Sequence, residues 1–218
     1  MLKRTILLLI VVAVAACKPD KKSEPVIGLI ADSAMVVSAH PLASKVGLEI
    51  LKKGGNAVDA AIATQLALAV VFPAAGNIGG GGFMVVRLNN GEVAALDYRE
   101  KAPAGATTNM YLDSAGNVIE NLSTAGHLAC GVPGSVDGMV ESHKKYGSLP
   151  WAELVQPAID LAQHGFPLTE REAKWLNELQ ERLLKYNTVK PDFLIRETWN
   201  AGDTIYWNDL GKTLERIR

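Results

Sequence analysis

Asp97-Tyr98-Arg99-Glu100 is the stretch of this sequence best furnished for chemistry. It follows the apolar run Ala94-Ala95-Leu96, so a strand ends where the charges begin. A guanidinium at that point offers a planar, two-pronged donor suited to a carboxylate. The competing reading of Arg99 is a surface ion pair with Asp97 or Glu100. Upstream stand four successive glycines, Gly79-Gly80-Gly81-Gly82. Ordering so permissive a backbone costs entropy, and the run therefore marks a place where another backbone or a ligand comes close. It is not a phosphate cradle. GxxxxGK[ST] is absent, and Gly76, Gly79 and Gly81 do not give G-x-G-x-x-G between a strand and a helix. No G-x-S-x-G elbow occurs. His40, His127, His143 and His164 are scattered without ligand spacing, so no metal site is expected.

Composition narrows the partners. Hydrophobic residues make up 48% and charged residues 21% of the 218, the balance of a packed globular body rather than a disordered chain. Twenty-two Lys plus Arg against 23 Asp plus Glu leave a net charge of -1, so no global positive field exists to hold nucleic acid. Two cysteines cannot build a disulfide scaffold.

The first residues read as an address. Lys3 and Arg4 precede Ile6 to Ala16, an uncharged run of 11 apolar residues. A helix of that length, at about 1.5 Å per residue, covers roughly half of a ~30 Å hydrocarbon core, which is the size of a signal-peptide h-region. Val14-Ala15-Ala16-Cys17 resembles the bacterial lipobox, in which the cysteine thiol is acylated. Residues 1–16 are thus expected to be a signal peptide. Residues 17–30, with Lys18, Lys21, Lys22, Pro19 and Pro25, read as a lipidated tether to a bacterial envelope membrane. With Cys17 modified, Cys130 has no partner in the chain and is expected as a small buried residue.

The body alternates helices with a hairpin. Met35 to Ala39 is β-prone. A helix from Pro41 and Leu42 stops at Gly54-Gly55. Asn56, with Asp59 three residues on, caps a second helix, Ala57 to Val71, apolar nearly all round and so expected to be buried on every side. Asn89-Asn90-Gly91 joins strands Phe83 to Leu88 and Val93 to Tyr98. Helices follow over Pro133 to Tyr146 and from Pro150 to Gly165, and Thr169-x-x-Glu172 opens another to Tyr186. A β-prone piece, Thr204 to Trp207, precedes a last helix from about Leu210.

Ordered motifs carry a resemblance. GGNAVDAA (Gly54 to Ala61), PAAGNIGGGGFM (Pro73 to Met84), DYREKAP (Asp97 to Pro103), Gly131-Val132-Pro133-Gly134 and Leu154-Val155-Gln156-Pro157-Ala158-Ile159 resemble the start of the large subunit of the γ-glutamyltranspeptidases. The resemblance covers residues 34–218 and marks 31–218 as the N-terminal portion of that domain. It implies an α+β fold of the N-terminal-nucleophile hydrolase type, an αββα sandwich. It implies an acyl-enzyme on a processed threonine, glutathione as the usual donor, and no metal or organic cofactor. Arg99 corresponds to the arginine that binds the α-carboxylate of the γ-glutamyl group. The threonine falls beyond residue 218, so no catalytic residue is expected in this chain. The chain alone is expected to be inactive and to need the remaining large-subunit sequence and the small subunit as partners. The alternatives are a non-catalytic, lipid-anchored binding or structural protein, or a related acylase.

One test belongs to the N-terminus alone. Cys17→Ser is expected to release the protein from the membrane fraction or to stall its processing. Unchanged membrane recovery and mobility would remove the anchor.

Overall fold

Helix starts and stops set the frame, in a computed structural model that describes residues 28–218. The signal peptide, Cys17 and the tether up to residue 27 lie outside the described residues, and 28–34 form no regular element. Helix α1 (Pro41–Lys52) begins on its proline, with His40 Nδ1 accepting from Leu42 N at 3.2 Å as the cap. It ends where Gly54, at φ +93, lets the chain turn back through Gly55 N to Ile50 O. Helix α2 (Ala57–Val71) carries a full capping box. The Asn56 side chain accepts from Val58 N and Asp59 N, and Asp59 returns the bond to Asn56 N at 2.9 Å.

Helix α2 is the hub of residues 35–218. Helices α1 and α4 (Trp151–His164) pack along it, α3 (Ser135–Tyr146) crosses it, and α6 (Asn208–Ile217) packs on α4. Leu66, Val70 and Val71 of α2 meet Ile50, Leu154, Val155, Ile159 and Leu214 in one continuous core. Enclosure is not complete. Ala57 and Ala61 are exposed and Gln65 and Leu68 half-buried, so one stripe of α2 stays open. Helix α5 (Glu170–Tyr186) starts on the Thr169–Glu172 capping box and buries Ala173 and Leu176.

Strands β1 (Phe83–Arg87) and β2 (Val93–Asp97) form an antiparallel hairpin in the register Phe83↔Asp97 to Arg87↔Val93, turned by Gly91 at φ +89. Met84, Val86, Ala94 and Leu96 are half-buried on one face, whereas Phe83, Val85 and Val93 are exposed. A second pair joins β3 (Phe166–Pro167) to β4 (Thr204–Ile205). The β-prone piece beyond Ile205 does not extend this ladder, because Trp207 N turns to donate to Ala162 O and α6 begins at Asn208. Met35 to Ala39 pairs with no strand among the described residues, and β propensity without a ladder partner makes none.

The Asp59 carboxylate ties two elements together. It is fully buried and accepts from Ser148 Oγ at 2.5 Å, Ser148 N at 3.1 Å and Leu149 N at 3.4 Å, besides Asn56 N. Burial alone would push its carboxyl up. The hydrogen bonds from Ser148, Asn56 and Leu149 outweigh that and hold it below the ordinary carboxylate range. A depressed native pKa stabilises the fold above the unfolded value, about 3.9, and the contribution is lost as pH falls below it. Asp59→Asn is therefore expected to lose about 2–3 kcal/mol near pH 7, with the gap from the parent narrowing below about pH 4. Denaturant melts at the two pH values check both parts, and a pH-independent gap would remove the carboxylate's charge from the account.

Candidate functional site

Arg99 stands one residue beyond Tyr98, where the hairpin makes its last paired contact. Tyr98 N donates to Gly82 O at 3.0 Å, and Gly82 N points back to Tyr98 O at 3.4 Å. Beyond Arg99, Lys101 and Val132 exchange backbone bonds of 3.0 and 2.8 Å. The arginine thus sits between two pinned positions. The glycine run makes this approach of backbones feasible. Gly80 O accepts from both Gly134 N (2.8 Å) and Ser135 N (3.0 Å) at the start of α3, and a Cβ on Gly81 would lie 2.6 Å from the Arg99 Cα.

The guanidinium is exposed and makes no ion pair among the described residues. It lies over the Phe83 ring, 5.9 Å from the centroid. Asp97 does not pair with it, because Asp97 Oδ1 accepts from the Arg99 backbone N at 3.0 Å. Glu100 turns its carboxylate toward Gly81 instead. The surface ion pair considered from spacing is therefore not formed. A cleft of about 270 Å³ opens beside the arginine, between Leu96 and Tyr98 on the hairpin side and Pro133, Gly134 and Gly138 on the helix side. A free, planar cation at the rim of such a cleft can take a carboxylate.

A second cavity of about 180 Å³ lies among Phe72, Pro73, Trp175, the buried His40 and the half-buried Glu172. His40 Nδ1 caps α1, which leaves the proton on Nε2. That nitrogen lies 2.8 Å from Glu172 Oε1, off the line of a good hydrogen bond. Both side chains already serve helix caps, so the pair is read as a brace between α1 and α5.

The other sequence candidates stay apart. His143 Nε2 faces Leu149 O at 2.8 Å and its ring meets Trp151 edge-on. Among the described residues no group of three or more His, Cys, Asp or Glu could hold a metal ion, and no helix is long and apolar enough to cross a membrane. Cys130 corrects an expectation: it is exposed, not buried. It ends a single 3-10 turn, His127–Ala129, in a stretch too short of apolar neighbours to enclose it, and its Sγ lies 3.8 Å from Gly126 O. What sequence reading missed is Tyr98, whose ring lies against Gly82 and Gly138 while Gly134 packs on its carbonyl. Gly138 was the available signal, since a glycine inside a helix costs about 1 kcal/mol and needs a reason.

Mixed helices and an antiparallel hairpin, with an exposed arginine just past the hairpin's end, define an α+β domain. The profile of the family Gamma-glutamyltranspeptidase matches residues 43–218, and the chain belongs to that family. It is 48% identical over 189 residues to the glutathione hydrolase proenzyme of Pseudomonas sp. (strain A14), covering 86% of this chain and 33% of that protein. The glutathione hydrolase proenzyme of Escherichia coli (strain K12) is 45% identical over 189 residues, with 86% and 33% covered. Among solved structures, Helicobacter pylori gamma-glutamyltranspeptidase superposes with a TM-score of 0.82 at 49% identity, over 88% of this chain and 55% of that one. A cephalosporin acylase from Bacillus halodurans reaches 0.70 at 28% identity, over 92% and 39%. The fold is accordingly that of the N-terminal-nucleophile hydrolases. The chain spans about a third of the length of the curated relatives it matches.

An exposed thiol is checkable directly. Cys130 is expected to react completely with a small thiol reagent under native conditions, at the rate of an exposed thiol. Protection relieved only by denaturant would return it to the interior.

Proposed function

We propose that these residues form the N-terminal part of an enzyme that hydrolyses or transfers the γ-glutamyl group of glutathione and related γ-glutamyl amides. The observation that supports this best is Arg99, whose guanidinium has no acid partner among the described residues and whose main chain is flanked by two backbone clamps at a cleft. In this reading Arg99 binds the donor's α-carboxylate and so sets the γ-amide at a fixed distance from it. The nucleophile, a threonine freed by processing, comes from sequence outside these 218 residues. Its hydroxyl attacks the γ-carbonyl and its own amine takes the proton. The departing amine is then protonated, leaving an acyl-enzyme for water or a second amino group. Export completes the reading, with residues 1–16 as signal peptide, Cys17 lipidated, 17–30 as tether and 31–218 as the enzyme portion. The likeness to a cephalosporin acylase supports a second reading, an amidase acting on a different acyl group.

The test is Arg99→Lys in the enzyme completed with its remaining large-subunit and small-subunit sequence. Lysine keeps the charge and loses the two-pronged geometry, so apparent affinity for a γ-glutamyl donor is expected to fall about tenfold or more, with the thermal melt unmoved. A change within about twofold, the size an exposed ion pair would give, counts against the anchor.

A further inference from the structure

We propose that Tyr98 is the positioning residue for Arg99, acting as a plug whose ring is seated between Gly82 and Gly138 and whose carbonyl is seated on Gly134; the inference rests on the carboxylate-anchor reading of Arg99. Just past β2 the alternation of the strand continues, Tyr98 half-buried and Arg99 exposed, so fixing the Tyr98 ring inward holds Arg99 outward. The ring is held between two glycines, and a third holds the main chain of the same residue. A Cβ on Gly82 would lie 2.8 Å from Cε2, one on Gly138 2.6 Å from Cδ1, and one on Gly134 2.9 Å from the Tyr98 carbonyl carbon. Carbon pairs rest at about 3.5–4.0 Å, so none of the three glycines tolerates a methyl group without about 1 Å of movement. Two of these glycines belong to the start of α3 and one to the glycine run before β1, so the ring also locks helix to hairpin.

The far end of the ring is tied more loosely. Tyr98 Oη lies 3.4 Å from both Gln65 Oε1, on the open stripe of α2, and Phe83 O. Burial pushes the phenol's pKa up even though the Gln65 bond pulls it down, so the hydroxyl stays protonated and supplies no charge to the cleft. Shape, not the hydroxyl, does the positioning. Gly138 stands inside α3, where the ring, which leaves no space for a Cβ, accounts for its presence.

The readout is the preference for an α-carboxylate, measured as the ratio of kcat/KM for a γ-glutamyl anilide to that for its α-carboxamide analogue, in the completed enzyme. Arg99→Gln sets the floor, because it removes the group that distinguishes the two substrates. Gly138→Ala pushes the ring, and a misplacement near 1 Å is expected to cut the ratio about tenfold or more toward that floor. Tyr98→Phe keeps the plug and is expected to stay within about twofold of the parent. If Gly138→Ala does not fold, Tyr98→Leu, which underfills the slot, carries the same comparison. A variant that lowers kcat/KM for both substrates alike and leaves the ratio intact makes Tyr98 structural only and overturns the proposal. An unchanged ratio in Arg99→Gln removes the anchor itself, a failure separable from that of Tyr98.

Discussion

The rest of the structure hangs on a buried carboxylate that has no cation beside it. Asp59 is sealed from solvent, and its charge is met by the hydroxyl and amide of Ser148 and by the amides of Leu149 and Asn56. Isolated, such a charge would be prohibitive to bury, and four hydrogen-bond donors together with the N-terminal end of α2's dipole are what make it tolerable. One group thereby starts the central helix and fixes the Ser148-Leu149 turn between α3 and α4. Those two helices lie on either side of that turn, so the placement of α3, and through it of Gly134 and Gly138, is set by an electrostatic constraint at the opposite end of the helix from the cleft.

From there the constraints become steric. A two-stranded hairpin alone is marginal in water, and the outer face of this one, with Phe83, Val85 and Val93, is open. Its order must come from the inner face and from its end. At that end Gly80 O receives two amides of the α3 start, and the Tyr98 ring enters the glycine slot. The rigidity needed at Arg99 is thus borrowed from a helix rather than from a sheet. Removing side chains at Gly81 and Gly134 lets the glycine run and the α3 start close on the Tyr98–Glu100 backbone, and at Gly82 and Gly138 it makes room for the Tyr98 ring. The entropy spent on ordering glycine is recovered in contacts that no larger residue would allow.

Much of this was legible in the residues. Capping boxes at Asn56 and Thr169, glycine stops at Gly54 and Gly165, and the Asn-Gly hairpin turn placed element ends within a residue or two, because these signals act locally. Arg99 was legible as a donor at a strand end. That its neighbours Asp97 and Glu100 leave it free was not, since the Asp97 bond to a backbone amide depends on the local conformation just past β2. Nor could spacing place Cys130, because burial of a small residue in an irregular stretch is decided by what folds over it. The open stripe of α2 was misread for the same reason. An all-apolar helix declares that it can be buried on every side, not which neighbours arrive to do so.

In the carboxylate-anchor reading, Arg99 and Tyr98 divide labour between function and fold within one dipeptide. The alternation of a strand sends adjacent side chains to opposite faces, so a buried, well-seated residue is the surest device for holding its exposed neighbour still. An arginine free to sweep through its rotamers would lose conformational entropy on meeting a carboxylate, and fixing the backbone on both sides lowers that cost before any ligand arrives. The Phe83 ring beneath the guanidinium restricts it further without neutralising it. An acid placed there would have stabilised the free protein and had to be displaced by every incoming carboxylate. Asp97 and Glu100, turned to backbone and glycine, are acidic neighbours that form no ion pair with it.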